Sequence, residues 1–351
     1  MQFWEEMYVI NYVYQLLSPG NFAVSYEDIT IRDEMFVRPL YMAICQADQR
    51  YYLGKRDARV LKAKLPMALI HESVGEVLYD PSGVYTPGQR VAIIPNIPAV
   101  ATPENNCNEV IFENYQKGSK FMSSGMDGFM REFVNVPTDR VVSVENVEPR
   151  IASICEFLSV GIHAVSRFEI LSHEIKSNIG IWGDGSLGYI VACILREKFP
   201  HSHISVIGKN EFKLSQFTFV DETYLADDLP ERFEVDHAFE CAGGSGSFYA
   251  IDDIINHINP QGTVVLLGVS ENKIAINTRD ILEKGLSVVG CSRSGKTDFE
   301  GAAKLLAIPK FQSRLSRIIF EDNPVKSISD IHRVFKNDLN TAFKTVFRWD
   351  L

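Results

Sequence analysis

The sequence lacks paired cysteines, a basic excess and long apolar runs, and each absence excludes a class of protein. None of its six cysteines forms a Cys-x-x-Cys pair, which argues against a disulfide framework or a zinc ribbon. The formal net charge is −10, so neither a general nucleic-acid surface nor an anionic-membrane surface is expected. No apolar run reaches the roughly 18 residues of a membrane span.

The beginning of the chain has no basic region of the kind that opens a signal peptide. Met7 is an alternative start, which would make residues 1–6 an extension. Unpaired thiols suit a reducing compartment, so we expect a cytoplasmic protein. Its 351 residues, 46% hydrophobic and 23% charged, are enough for two domains of an ordinary soluble protein.

A glycine-rich stretch at residues 179–192 organises the chain. A short apolar run precedes the pattern Gly-x-Gly-x-x-Gly, and a helix-like apolar pattern follows it. In a dinucleotide-binding turn the three glycines allow a tight turn, close approach of the pyrophosphate, and helix–strand packing. The alternative is an ordinary glycine turn. The pattern predicts cofactor binding by Gly183, Asp184, Gly185, Ser186, Leu187 and Gly188.

The periodicity of the chain changes near residue 150. Before it, short apolar pieces between turn signals indicate a β-rich domain. After it, predicted strands at 179–182, 204–207, 237–241, 263–267 and 286–289 alternate with helical stretches such as 189–198 and 250–258, and a turn at 260–262 precedes the fourth of these strands. This alternation predicts an α/β protein with a doubly wound parallel sheet at 153–290 and a catalytic domain formed by 1–152 with 291–351.

The end of the second predicted strand bears on cofactor choice. NAD enzymes place an acid there to bind the ribose 2′-hydroxyl, and that acid would repel a 2′-phosphate. Here Gly208 and Lys209 occupy this position, with Lys213 nearby. Solvated surface lysines are the alternative, but the missing acid favours NADP(H) and cofactor contacts by these three residues.

Three distant residues supply the ligand types that zinc accepts: Cys45, His71 and Glu156. No short ligand spacing ties them together. Considered alone, the cysteine is typical of a small core residue. The histidine and the glutamate are each typical of a hydrogen-bonded or solvated side chain.

The order of motifs around these residues supplies the link. Cys-x-x-Asp from Cys45, His-Glu-x-x-Gly-x-Val from His71, Glu-x-Leu-Ser-Val-Gly-x-His-Ala from Glu156 and the glycine pattern together resemble the medium-chain zinc-dependent alcohol and polyol dehydrogenases. The resemblance implies a GroES-like catalytic domain and a Rossmann domain. It also implies that Cys45, His71 and Glu156 are metal ligands or near-ligands, with Glu72 as a fourth candidate and Asp48 orienting the histidine.

Adjacent residues of an extended strand point to opposite faces. His71 and Glu72 can therefore share a metal ion only if the backbone leaves strand geometry at this point.

Two departures from the family pattern matter. Where many members carry four cysteines for a structural zinc, this chain has Cys107 alone, so we expect one catalytic zinc and no structural zinc. Ala47 stands where many relatives have a serine or threonine that passes the substrate proton onward. Metal-bound water or Glu72 would then move the proton.

A closer resemblance is to the ribitol-5-phosphate 2-dehydrogenase branch of this family. It rests on residues 47–56, 64–72, 123–130, 182–188, 236–241, 283–286 and 292–295. It implies NADPH-dependent reduction of D-ribulose 5-phosphate to D-ribitol 5-phosphate, which supplies CDP-ribitol for teichoic acid or capsule synthesis. Arg50 and Arg293 are the candidate cations for the substrate phosphate, and Tyr51 is the candidate lining of the sugar pocket.

Other expectations complete the hypothesis. Homo-dimers or tetramers are usual in the resembling family, and a complex with the cytidylyltransferase that consumes ribitol 5-phosphate would fit the pathway. Two alternatives remain: a dehydrogenase of an unphosphorylated polyol such as sorbitol or xylitol, and a non-enzymatic NADP-binding sensor.

Overall fold

The structure, a computed structural model, describes residues 7–31, 33–100 and 112–351. The expectations for residues 1–6 and for Cys107 lie outside these ranges. The chain divides into a first unit, Met1–Ser159 with Ser294–Leu351, and a second unit, Val160–Arg293. The boundaries expected from the sequence lie seven and three residues earlier, and the first division falls inside a continuous helix.

The elements are numbered along the chain. The strands are β1 (Met7–Ser18), β2 (Asn21–Ile31), β3 (Met35–Ala43), β4 (Met67–Ala68), β5 (Glu72–Tyr79), β6 (Arg90–Ile93), β7 (Asn96–Ile97), β8 (Lys120–Phe121), β9 (Val134–Val136), β10 (Val141–Ser143), β11 (Asn178–Trp182), β12 (His203–Gly208), β13 (Glu222–Leu225), β14 (Val235–Glu240), β15 (Ile258–Leu266), β16 (Ser287–Gly290), β17 (Ile319–Val325) and β18 (Lys344–Trp349). The helices are α1 (Gln46–Tyr52), α2 (Ala58–Lys64), α3 (Pro149–Ala152), α4 (Cys155–Leu171), α5 (Ser186–Lys198), α6 (Glu211–Leu214), α7 (Gly246–His257), α8 (Thr278–Lys284), α9 (Lys296–Leu306), α10 (Pro309–Leu315) and α11 (Ile328–Asp338).

The first unit is the predicted β-rich domain. One sheet has the order β10-β6-β5-β3-β18-β17, with β9 paired to β3, and a second has the order β2-β1-β4. Helix α11 buries Ile331, Val334 and Phe335, which the spacing i, i+3, i+4 places on one face. These side chains join a core that also contains Phe347 of β18. The C-terminal segment is thereby an integral part of this unit.

The second unit is a parallel sheet with the order β13-β12-β11-β14-β15-β16, which is the doubly wound arrangement of a dinucleotide fold. Every residue of β14 is buried, as expected for a parallel strand covered on both faces. The predicted α/β fold class, a GroES-like domain with a Rossmann domain, is confirmed. Strand β13 was not foreseen, because Glu222 and Thr223 are exposed and give it no apolar run.

One turn prediction was wrong. Residues 260–262 were expected to precede a strand, yet they lie inside β15. Ile258 pairs with Val235 and the ladder resumes with Thr263 opposite His237, so the extra residues form an irregularity within the strand. Gln261 takes up the bend with φ = 67°. Short-range turn chemistry could not reveal that the pairing begins earlier.

In the described ranges, none of the helices combines the length and apolar character that crossing a membrane requires.

His237 lies in the middle of the parallel sheet with both ring nitrogens bonded. Nε2 donates to the Ile175 carbonyl at 2.9 Å and Nδ1 accepts from the Thr263 N–H at 3.1 Å. This arrangement needs the neutral ring, because a proton on Nδ1 would face another donor. Burial lowers the pKa of His237 to about 4, with smaller contributions from the charges of His173 and Lys176.

His237 should therefore make stability depend on pH in the acidic range. Below pH 6.5 the unfolded chain binds this proton, whereas the folded chain resists it down to about pH 4. The free energy of unfolding, measured by urea titration, should fall from pH 6.5 to pH 4 by at most about 3 kcal/mol from this group. His237→Asn should flatten that part of the profile, and the exposed control His201→Asn should not. Equal slopes in all three proteins would contradict the assignment.

Candidate metal and cofactor sites

Three candidate ligands come together in the first unit. The ligand atoms of Cys45, His71 and Glu72 all lie within 4.8 Å of one another. Zinc binds such atoms at about 2.0–2.3 Å, so small side-chain rotations would bring one ion within reach of all three. His71 and Glu72 are buried. A thiolate, an imidazole and a carboxylate in one place are a chemically suitable set for zinc.

The backbone explains how two adjacent residues can face one ion. Ile70 has φ = 70°, a left-handed conformation that is unusual for a β-branched residue. His71 follows this bend and Glu72 is the first residue of β5. The chain thus leaves strand geometry where the sequence required it to. On the other segment, Cys45 is the N-cap of α1, and its Sγ accepts from the Ala47 N–H at 3.5 Å.

Asp48 holds the two ligand segments together. Its Oδ2 accepts from the Cys45 N–H at 3.1 Å, and its Oδ1 accepts from the Ile70 N–H and the Ser123 hydroxyl, each at 3.0 Å. The His71 Nδ1 lies 3.7 Å from Asp48 Oδ1, which is ion-pair distance rather than a hydrogen bond. The carboxylate therefore fixes the backbone beside both ligands more directly than it orients the imidazole.

Glu156 lies in the first turn of α4 and is buried, but it is outside the group whose ligand atoms meet within 4.8 Å. Burial raises its pKa to about 8; His71 opposes this, and the charges of Glu72 and Cys45 add to it. Glu156 is thus an electrostatic neighbour of the three ligands. Burial likewise raises the pKa of the Cys45 thiol to about 12, and a bound cation would favour the thiolate.

Lys344 is a site residue that the sequence did not reveal. This buried lysine begins β18, and its Nζ donates to the Glu72 Oε1 and to the Ile44 carbonyl, the latter at 2.9 Å. The ammonium also lies 4.4 Å from the centre of the Phe157 ring. The one available signal was a lysine at the start of a strand that carries the apolar residues Val346, Phe347 and Trp349.

The remaining oxygen of Glu72 supports a cation site. Glu72 Oε2 is buried and finds no hydrogen-bond partner in the described part of the chain. A buried carboxylate oxygen without a partner is costly, because it has lost its water. One oxygen held by Lys344 and the other unsatisfied beside a thiol and an imidazole is an arrangement that a divalent cation would complete.

The candidate substrate residues fall in both units. Arg50 and Tyr51 belong to α1 of the first unit, and Arg293 ends the second unit with φ = 58°. Tyr51 is 1% exposed, and its hydroxyl has no partner among the residues described. The Arg56 guanidinium lies 4.8 Å from the centre of the Tyr51 ring and packs over it. Tyr51 therefore has a buried hydroxyl available for a ligand.

The glycine-rich turn of the second unit behaves as its spacing predicts. A Cβ on Gly183 would lie 2.7 Å from the Cys241 backbone, and a Cβ on Gly188 would lie 1.9 Å from the Gly183 carbonyl oxygen. These two positions need glycine for the turn and for helix packing. A Cβ on Gly185 would meet none of the described residues within 4 Å, so this position leaves open space where the pattern expects a pyrophosphate. Ser186 and Leu187 open helix α5 directly after it.

Asp184 has a different environment from that expected of a cofactor contact. Its Oδ2 accepts from the Lys209 and Asn210 backbone N–H groups, each at 2.7 Å. It thereby fixes the loop that leaves β12 after Gly208. Within that loop the Lys209 ammonium lies 5.4 Å from the centre of the Tyr249 ring. Asn210 caps the following helix α6, where its side chain accepts from the Lys213 N–H at 3.0 Å.

Comparison with known proteins gives matches over nearly the whole chain. Residues 32–146 match the alcohol dehydrogenase GroES-like domain, and residues 218–307 match the zinc-binding dehydrogenase domain. The ribulose-5-phosphate reductase of Streptococcus pneumoniae is 50% identical over 98% of both chains. Ribulose-5-phosphate reductase 1 of Staphylococcus aureus is 46% identical over 97% of this chain and 99% of its own length.

Solved structures agree with these matches. The crystal structure of S. aureus TarJ in complex with NADPH has a TM-score of 0.85 and 42% identity, and the match covers 98% of this chain and 100% of that one. The chain therefore belongs to the zinc-binding medium-chain alcohol and polyol dehydrogenases.

Proposed function

We propose that this enzyme reduces D-ribulose 5-phosphate to D-ribitol 5-phosphate with NADPH, using one zinc ion at Cys45, His71 and a glutamate. The observation that carries the proposal is the group of half-buried Cys45 with buried His71 and Glu72, in which one Glu72 oxygen has no partner in the described residues. Relatives that are 43–50% identical over almost the full chain carry the name ribulose-5-phosphate reductase. The product would supply CDP-ribitol for teichoic acid or capsule synthesis.

When bound, zinc would polarise the C2 carbonyl and NADPH would supply the hydride. Residues of the chain position the candidate ligands and balance the charge of Glu72. Asp48 fixes the segments that carry Cys45 and His71, and Lys344 holds one oxygen of Glu72. The glutamate of the ligand set is Glu72 or Glu156, both of which are buried. Ala47 offers no hydroxyl, so we assign the substrate proton to Glu72 in the case that Glu156, and not Glu72, is the zinc ligand.

For the substrate we propose that Arg50 and Arg293 bind the phosphate and that Tyr51 bonds to the sugar. The paired N–H donors of a guanidinium match the geometry of a phosphate group. The buried Tyr51 hydroxyl has no partner in the described residues and can form a hydrogen bond with the sugar. For the cofactor we propose Lys209 and Lys213 as contacts of the 2′-phosphate. A homo-oligomer and a complex with a ribitol-5-phosphate cytidylyltransferase stay predictions.

The reaction is tested by substrate choice together with metal content. We expect about one zinc per chain by elemental analysis and NADPH oxidation with ribulose 5-phosphate. The value of kcat/KM should exceed that for ribulose by about 100-fold, since charge-assisted bonds to phosphate contribute roughly 3 kcal/mol. Similar kcat/KM values for the two sugars would instead indicate an unphosphorylated polyol.

The matched variant for this test is Cys45→Ser. It should lose zinc and turnover while NADPH binding, followed by fluorescence, stays at the wild-type level. A metal-free Cys45→Ser protein with full activity would remove zinc from the proposal.

Lys344→Met should make the fold depend more strongly on zinc. The substitution leaves Glu72 buried without its ammonium partner, and breaking a buried ion pair costs about 3–5 kcal/mol. We expect this loss in the free energy of unfolding after chelation of zinc, and a smaller loss in the zinc-loaded protein. The double variant Lys344→Met with Glu72→Gln should recover part of the loss in the chelated protein. An equal loss in the free energy of unfolding with and without zinc would contradict the idea that the Lys344 ammonium and zinc both balance the charge of Glu72.

Lys209→Ala should discriminate between the two nicotinamide cofactors. Removing a charge-assisted contact to a 2′-phosphate should raise KM for NADPH about 10-fold or more and leave KM for NADH nearly unchanged. The exposed control Lys273→Ala should change neither. A similar rise for both cofactors would show that Lys209 acts on the loop rather than on the phosphate.

A further inference from the structure

Asn96 is a buried amide that the chain leaves without hydrogen bonds. It lies on β7 and is 1% exposed. Neither its Nδ2 nor its Oδ1 has a hydrogen-bond partner among the residues that the structure describes. Each buried polar group without a partner costs about 1–3 kcal/mol, so such groups in native proteins usually hold a water or a ligand.

The backbone around Asn96 is fixed, so the amide has no easy route to solvent. Asn96 pairs with Phe121 of β8, and the Met122 N–H donates to the Pro95 carbonyl at 3.0 Å. The Asn96 carbonyl accepts from Arg140 Nη1 at 3.3 Å, and the same guanidinium binds Glu113. The unsatisfied position is therefore built into the fold.

The strand pairing places Asn96 opposite a residue whose ring contacts a candidate metal ligand. Residues directly opposite each other in an antiparallel pair have side chains on the same face, with Cβ atoms about 4.5–5.5 Å apart. Phe121 is opposite Asn96, and its ring packs edge-on against His71 with 5.4 Å between ring centres. The Asn96 side chain thus shares its face of the strand pair with the ring that contacts a candidate zinc ligand.

We propose that Asn96 is a substrate-binding residue that recognises the secondary hydroxyls of the sugar phosphate. This inference rests on the proposed function. A side-chain amide contains both a hydrogen-bond donor and an acceptor, and so does a hydroxyl group. The Asn96 amide can therefore donate to one sugar hydroxyl and accept from the adjacent hydroxyl. D-Ribulose 5-phosphate carries such a pair at C3 and C4, next to the reacting carbonyl. A neutral amide can hydrogen-bond to neutral hydroxyls, whereas the charged phosphate is better bound by the arginines.

The decisive experiment compares Asn96→Ala with a matched control, Asn11→Ala. Asn11 is equally buried in the same unit, but its amide is bonded to Glu27 at 2.8 Å and to the Phe133 backbone at 3.2 and 2.9 Å. Asn96→Ala should lower kcat/KM for ribulose 5-phosphate about 10- to 100-fold, as expected for one or two lost bonds to substrate. Its zinc content, KM for NADPH and urea midpoint should stay at wild-type values, because the free enzyme loses no bond.

The control should show the opposite pattern, with a lower urea midpoint and an unchanged kcat/KM. An unchanged kcat/KM in Asn96→Ala would overturn the inference and leave Asn96 as the host of an internal water. A loss of kcat/KM that comes with equal loss of zinc or of NADPH binding would overturn it as well. If Asn96→Ala does not fold, Asn96→Ser decides by the same readouts. A wild-type enzyme inactive on ribulose 5-phosphate would sink the proposed function, whereas an active one with an indifferent Asn96 would sink this inference alone.

Discussion

The buried ion pair between Lys344 and Glu72 is the interaction on which the candidate metal site depends. Carboxylates are expensive to bury, and here Glu72, Asp48 and Glu156 lie in one interior region with a thiol. Lys344 offsets one charge, and the backbone N–H groups of Cys45 and Ile70 satisfy Asp48. Burial raises the pKa of Glu156 to about 8 and that of the Cys45 thiol to about 12, so in the absence of an ion protons keep these two groups neutral at pH 7. A bound cation would replace such protons, which couples metal binding to proton release.

Much of this architecture could be predicted from the sequence, because it is encoded locally. Gly183 and Gly188 are fixed by backbone approach, so the glycine spacing alone locates the turn. The ligand residue types were likewise visible at Cys45 and His71. Lys344 could not be found this way, since it reaches Ile44 and Glu72 only because β18 pairs with β3, some 300 residues away along the chain. A contact that depends on strand pairing between distant segments leaves no local motif in the sequence.

Asp184 has a structural role that its place in the glycine motif does not reveal. It lies inside the dinucleotide motif, where a free carboxylate near a 2′-phosphate would be unfavourable. Its Oδ2 instead accepts hydrogen bonds from the Lys209 and Asn210 N–H groups. These backbone donors stabilise the carboxylate charge and fix the loop that carries Lys209. The motif predicted the position, but the hydrogen bonds across to the next strand decide what the side chain does there.

Several buried side-chain groups of the first unit lack a hydrogen-bond partner in the described structure. Among them, the Glu72 carboxylate oxygen, the Tyr51 hydroxyl and the Asn96 amide differ in chemistry. An anionic oxygen suits a cation, whereas a hydroxyl and an amide suit a polyhydroxylated substrate. Interiors optimised for stability alone would have paired or replaced such groups. Functional sites are where proteins keep polar groups unpaired at a cost in stability. Under the proposed function, the Glu72 oxygen would belong to the metal site, whereas the Tyr51 hydroxyl and the Asn96 amide would contact the sugar.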